Sequence, residues 1–190
     1  MKITKIKFYD GAREKVCRLG LSHLFLELLD IVFSTPILLV PKREANGAAV
    51  VREALDFNFK AAGSWKKTTT GGVDWIKGVR FDQSVSVSLG VEVQVSSRSD
   101  LLIRDIVHLR NSLQEGSIDI GVIIVPSDLM QRFLTDRTPS YRDAVRYIEE
   151  EFREATTFPI AILAIEHDGT SNEPLPKRRT NLSVPPESIP

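Results

Sequence analysis

The chain has 190 residues, with 25 Lys or Arg against 25 Asp or Glu, so its formal charge at pH 7 is zero. That length suits one domain with a sizeable core, and the neutral total excludes an overall basic surface while leaving room for a local basic cleft. A single cysteine, Cys17, excludes an internal disulfide, and the lack of CxxC, HExxH and Walker-type loops sets aside the corresponding zinc, metalloprotease and P-loop chemistries.

Lys2 to Tyr9 alternates and predicts a short strand or extended arm, followed by an amphipathic helix over Gly11 to Phe33. The apolar run from Leu19 to Val40 is interrupted by His23, Glu27, Asp30 and Pro36, so neither a membrane span nor a leader is expected in it. With the lone cysteine, this reads as a soluble protein of a reducing cytoplasm. Pro36 to Pro41 brackets a short edge strand or connector, and Asn46-Gly47 marks a turn. A helix is predicted over Ala48 to Ala61, with Glu53 inside it and Gly63 just past its end, then a loop from Ser64 to Thr70.

A strand begins at Val73. The next one is the clearest in the chain, because Val85, Val87, Leu89, Val91, Val93 and Val95 alternate with Ser86, Ser88, Gly90, Glu92 and Gln94. Such alternation predicts one packed and one open face, with Glu92 and Gln94 side by side on the open one. A turn near Asp82 to Ser84 would pair the two strands as a hairpin, with Trp75 opposite Val91 and Asp74 opposite Glu92. Directly opposed residues lie about 4.5–5.5 Å apart at Cβ, where two carboxylates repel unless a cation lies between them. Asp74, Glu92 and Gln94 are therefore the candidate catalytic residues, and Asp74 and Glu92 the candidate metal ligands.

A helix over Leu101 to Glu115 follows, capped by Ser99 or Asp100 and stopped by Gly116, with Leu102, Ile106, Leu109 and Leu113 as its buried stripe. His108 falls off that stripe and is expected to face solvent. Ile118 to Val125 predicts a central strand buried on both faces. Ser127 caps a short helix, Ser140 caps a longer one reaching about Ala155, and Phe158 to Ile165 is a further apolar strand. Residues 170–190, rich in proline and polar side chains and carrying Lys177, Arg178 and Arg179, read as a flexible tail after a single domain over 1–169.

A hairpin with Asp on one strand and Glu-x-(Lys or Gln) on the next, then helix and strand, resembles the PD-(D/E)xK nuclease core. Gly90-Val91-Glu92-Val93-Gln94 in particular is similar to the Glu-x-Gln variant of the BglII and BstYI type II restriction endonucleases. Ser64-Trp65-Lys66, Asp74-Trp75-Ile76-Lys77, Ile118 to Val122 and Pro159 to Ile165 follow in the same order as that family's elements. The hairpin is longer than those of the family, which makes Asp82 the rival metal aspartate. Pairing Asp82 with Glu92, however, would force a turn at Val87 inside an unbroken alternation.

The resemblance implies an α/β fold with a restriction-endonuclease-like core, a central mixed β-sheet flanked by helices. It also implies Mg²⁺-dependent hydrolysis of double-stranded DNA by a homodimer at a short palindrome. Gln94 would stand where most relatives carry lysine, offering its amide oxygen to a metal–water cluster or an N–H to the phosphate. Base readout would come from Ser96, Ser97 and Arg98 and from the loop Arg137 to Ser140; turn and cap roles are the alternative for these residues. Glu53 is a candidate for a supporting role, with a surface position as its alternative. Two other functions remain open: a repair or mobile-element nuclease on the same core, and an inactive DNA-binding module.

Overall fold

The computed structural model describes residues 1–68, 72–82 and 86–177. Its centre is a six-stranded mixed sheet in the order β1-β7-β6-β5-β4-β3: β1 (Lys2–Phe8), β3 (Lys66–Lys67), β4 (Trp75–Arg80), β5 (Ser86–Val93), β6 (Ile120–Pro126) and β7 (Ile160–Glu166). β5, β6 and β7 run parallel, while β1, β4 and β3 are antiparallel to their neighbours. β2 (Leu38–Leu39) and β8 (Gly169–Thr170) form a small separate parallel pair. This is the expected α/β architecture with a central mixed sheet.

Parallel strands need crossover connections, and these lay helices on both faces of the sheet. On one face, α1 (Ala12–Arg18), α2 (Ser22–Phe33) and α3 (Ala48–Ala61) cover a core of Leu24, Leu28, Val51, Leu55 and Phe59 against Leu89, Val91, Val93, Val122 and Leu163. On the other, α4 (Ser99–Gln114) and α6 (Tyr141–Arg146) bring Leu102, Ile106, Leu109 and Ala144 onto Ile123, Val125, Ile160 and Ile162. All of β6 is buried, as its continuous apolar run predicts.

This two-sided cover corrects the expected open face of β5. α4, the crossover between β5 and β6, lies over it, and Glu92 and Gln94 are 2% and 0% exposed. Gly90 on the same face is packed as tightly by the segments flanking the neighbouring strands: a Cβ there would lie 2.8 Å from Ile118 Cδ1 and 3.1 Å from Val73 Cγ2. Gly90→Ala is expected to destabilise the protein by about 1–3 kcal/mol through overpacking. Shortening the opposing side chain, in Gly90→Ala/Ile118→Val, should recover part of the lost melting temperature. Equal melting of wild type and Gly90→Ala would show that Ile118 and Val73 yield to an added methyl group.

Other boundaries shift for local reasons. The helix expected over Gly11 to Phe33 divides at Gly20, whose φ of 69° is left-handed. The helix expected to reach Ala155 ends its α-helical part at Arg146, continues as a π-turn over Tyr147–Glu151 and breaks at Phe152. The loop expected from Ser64 contains β3, which the exposed edge of β4 pairs. The N-cap of α4 is Arg98, one residue before the expected pair.

The tail expected from residue 170 begins inside β8. Beyond it, the Ser171 N–H donates to Leu39 O at 2.9 Å and the Gly47 N–H donates to Leu175 O at 2.9 Å. Arg178, Arg179 and the rest of 178–190 lie outside the described residues, as do most of the expected turn at 82–84 and the strand position Val85.

Candidate active site

The hairpin register decides which residues can meet. β4 and β5 pair Trp75 with Val91 and Arg80 with Ser86, and one further step places Asp74 opposite Glu92. Asp82 lies two residues past the far end of β4, where Arg80 pairs with Ser86, and Ser86 is six positions, about 20 Å, from Glu92 along β5. Asp82 is therefore remote from Glu92, and Asp74 is the aspartate beside it.

Asp74 is held from two sides. Its Oδ1 accepts from Arg52 Nη2 of α3 at 2.6 Å, and its Oδ2 accepts from the Val93 backbone N–H at 2.9 Å. Arg52 also donates from Nη1 to Val93 O at 2.7 Å, tying α3 to the end of the hairpin. An aromatic stack aligns the helix for this contact: Phe59 of α3 lies edge-on to Trp65 and stacks on Trp75, with centroids 5.3 and 5.2 Å apart. The indole N–H groups are bound as well, Trp65 to Glu27 and Trp75 to Asp56. The tryptophans of the resembling motifs thus serve as a clamp between helix and hairpin. Arg52 makes the direct contact to Asp74 on this side.

On the opposite face, Glu92 looks toward α4. His108 Nδ1 is 3.6 Å from Glu92 Oε1, and donor atoms of Glu92, Asp105 and His108 all lie within 4.8 Å of one another. Asp105 is fully buried, whereas the His108 side chain is 26% exposed. This corrects the solvent-facing expectation for His108, because α4 is rotated so that its Asp105–His108 edge packs over the strand. Among the described residues, three buried side-chain atoms have no hydrogen-bond partner: Glu92 Oε1, Gln94 Oε1 and Asp105 Oδ2.

The electrostatics follow from that burial. Desolvation first, then the charges of Asp105 and Asp74, push the Glu92 carboxyl up to about 10. Burial and Asp74 also push Asp105 up, to about 6, against the opposing pull of Arg104 and Arg52. Burial and Arg104 hold His108 below its ordinary value, which leaves a neutral imidazole with a free lone pair at neutral pH. Unpartnered buried carboxylate oxygens on Glu92 and Asp105, beside a neutral imidazole, suit a divalent cation, since an unpartnered buried acceptor is costly.

Gln94 is anchored through its amide nitrogen. Its Nε2 donates to Ser96 Oγ at 3.0 Å and to Arg98 O at 3.1 Å, while the buried amide oxygen has no hydrogen-bond partner. Those same bonds draw the loop 96–98 back onto the strand. Ser97 and Arg98 are exposed, and the Arg98 guanidinium is paired with Asp100 at 2.5 Å. Ser140 is buried in a capping box with Asp143 at the start of α6, whereas Arg137 is exposed with a left-handed φ of 60°. The first of these loops leaves the carboxyl end of the parallel strand β5, the end at which α/β sheets bind their ligands, while the second joins α5 (Asp128–Phe133) to α6.

Residues 31–177 match the family model described as restriction endonuclease BamHI. The chain belongs to that family. No curated protein matches it. Membership in the BamHI family makes the chain a type II restriction endonuclease, a nuclease that binds DNA. Asp105, His108 and Arg52 escape a reading of motifs alone. Asp105 did leave a trace, as a charge among Leu102, Ile106 and Leu109 on the buried arc of α4. Among the described residues, no helix is long and apolar enough to cross a membrane.

Proposed function

We propose that this member of the BamHI family is a Mg²⁺-dependent, site-specific endonuclease that cuts double-stranded DNA at a short palindrome as a homodimer. Within the family we place it with the BglII- and BstYI-like enzymes, on its Glu92-x-Gln94 pattern, and in the cytoplasm, in keeping with its single free cysteine. One observation carries the reading. The buried oxygens Glu92 Oε1, Gln94 Oε1 and Asp105 Oδ2 lack partners at the sheet end where Asp74 stands.

Asp74 and Glu92 are the metal ligands in this reading. A bound divalent cation neutralises charge on the scissile phosphate and lowers the pKa of a water. Arg52 and the Val93 N–H keep the Asp74 carboxylate in one orientation, so little reorganisation is needed when the site is filled. Gln94 presents an acceptor oxygen but neither takes up a proton nor carries charge, so it orients rather than acts as a base. Ser96, Ser97, Arg98 and Arg137 are the candidate base-reading residues, exposed arginines being suited to guanine edges. Ser140 supports its loop through the capping box.

Digestion of a randomised plasmid library with Mg²⁺, followed by sequencing of the ends, tests this reading. Discrete ends within one short symmetric sequence are expected, with complete loss of cleavage in EDTA. Scattered ends would favour a repair or mobile-element nuclease. Cutting in chelator, or none with Mg²⁺ or Mn²⁺, would overturn the metal-dependent reading. Sedimentation should give a dimer, since two-fold protein symmetry matches a two-fold site; a monomer both free and on DNA would remove the palindrome.

A further inference from the structure

α4 carries more of this site than the hairpin motifs imply. Asp105 and His108 are three residues apart, the spacing that puts two side chains on one helix face. Arg104 holds one oxygen of Asp105, donating to Oδ1 from Nε at 3.3 Å and from Nη2 at 3.1 Å. The other oxygen, Oδ2, is left buried without a partner, as is Glu92 Oε1 on the facing strand. Arg52 and Arg104 lend positive charge nearby, yet neither bonds these two atoms. A helix position of zero exposure is normally apolar, so an aspartate with one idle oxygen there calls for a ligand.

Glu92, Asp105 and His108 offer donors within 4.8 Å of one another. Two donors on one ion at bonds of about 2.1 Å stand about 3–4 Å apart, so slight rotations of these side chains suffice. The partly exposed edge of His108 leaves a route from solvent. Asp74 is not one of these three donors; Arg52 and the Val93 N–H hold it beside them.

We propose that Glu92, Asp105 and His108 form a divalent-cation position of their own, sharing only Glu92 with the hydrolytic pair, and that its imidazole selects first-row transition ions over Mg²⁺. Magnesium favours all-oxygen surroundings, whereas a carboxylate–imidazole set accepts Mn²⁺ and its heavier neighbours. The position needs neither DNA nor cleavage to exist.

Calorimetry of the metal-free full chain with MnCl₂ and with MgCl₂, without DNA, tests it. Asp105→Asn and His108→Gln are each expected to weaken Mn²⁺ at least about tenfold, His108→Gln with little change for Mg²⁺. Asp74→Asn should keep this Mn²⁺ position. Because Asp105 is buried, pulsed electron paramagnetic resonance of Mn²⁺-loaded wild type adds a measurement that needs no folded Asp105 variant. A nitrogen coupling is expected that disappears in His108→Gln. Unchanged Mn²⁺ affinity in both α4 variants, or no nitrogen coupling in the wild type, would overturn the proposal. Mn²⁺ binding here without DNA cleavage would instead count against the nuclease reading and leave this position standing.

Discussion

Asp74→Asn is expected to lower metal-dependent cleavage by on the order of 10³-fold or more, while Asp82→Asn cleaves at close to the wild-type rate. The contrast rests on the β4–β5 register, which puts Asp74 opposite Glu92 and Asp82 at the far end of the hairpin. A neutral amide is a poor ligand for a hard cation and removes one of the site's negative charges. It also faces two donors, Arg52 Nη2 and the Val93 N–H, of which its single oxygen satisfies one. A stability loss of about 1–3 kcal/mol is therefore expected in Asp74→Asn, small enough for circular dichroism to show a folded protein. A turn substitution such as Asp82→Asn typically changes stability by less than about 0.5 kcal/mol. If Asp82→Asn were dead and Asp74→Asn active, the register would have to be redrawn with a shorter hairpin.

Glu92→Gln should move activity and stability in opposite directions. Burial, Asp105 and Asp74 raise the Glu92 pKa in the folded protein to about 10, against 4.5 when unperturbed. Between those values the folded chain binds a proton that the unfolded chain has released. The contribution of Glu92 to the stability of the metal-free protein is thus fully present below pH 4.5 and declines as the pH rises toward 10. Glutamine keeps the shape, removes the cost of taking up that proton on folding, and brings an N–H within the neighbourhood of the idle Asp105 Oδ2.

The metal-free variant should therefore melt higher than wild type at pH 8, by about 2–4 °C for each kcal/mol relieved, and with a flatter pH dependence. Cleavage should be lost. Saturating divalent metal should reverse the order of melting, since a ligand at about 100 times its Kd adds about 2.7 kcal/mol to a protein that binds it and nothing to one that does not. Glu92→Ala is a poorer probe, because truncation at a buried position leaves a cavity. A Glu92→Gln variant that melts below wild type at every pH would show that Glu92 serves the fold rather than a cation.

The elements of the hairpin were legible in the sequence because a strand's period of two leaves a direct mark. The alternation from Val87 to Val95, with the parity of Trp75 and Val79, determines the register that brings Asp74 to Glu92. The buried run of β6 and the serine caps at Ser127 and Ser140 are local in the same way, each set by its own few residues. Helix breaks were less legible. Gly20 and Phe152 interrupt stripes whose apolar spacing continues past them, so periodicity alone runs straight through.

What the tertiary structure alone decided is the second face of β5. Alternation separates two faces but does not say whether the polar one meets water or another element, and here the β5–β6 crossover lays α4 upon it. That placement buries Glu92 and Gln94, turns His108 inward, and adds Asp105, whose charge on the stripe of α4 had no visible partner in the chain. Arg52 meets Asp74 only because the Phe59–Trp65–Trp75 stack docks α3 against the hairpin. Such contacts join residues distant in sequence, and no local spacing encodes them; the packing of helix on sheet does.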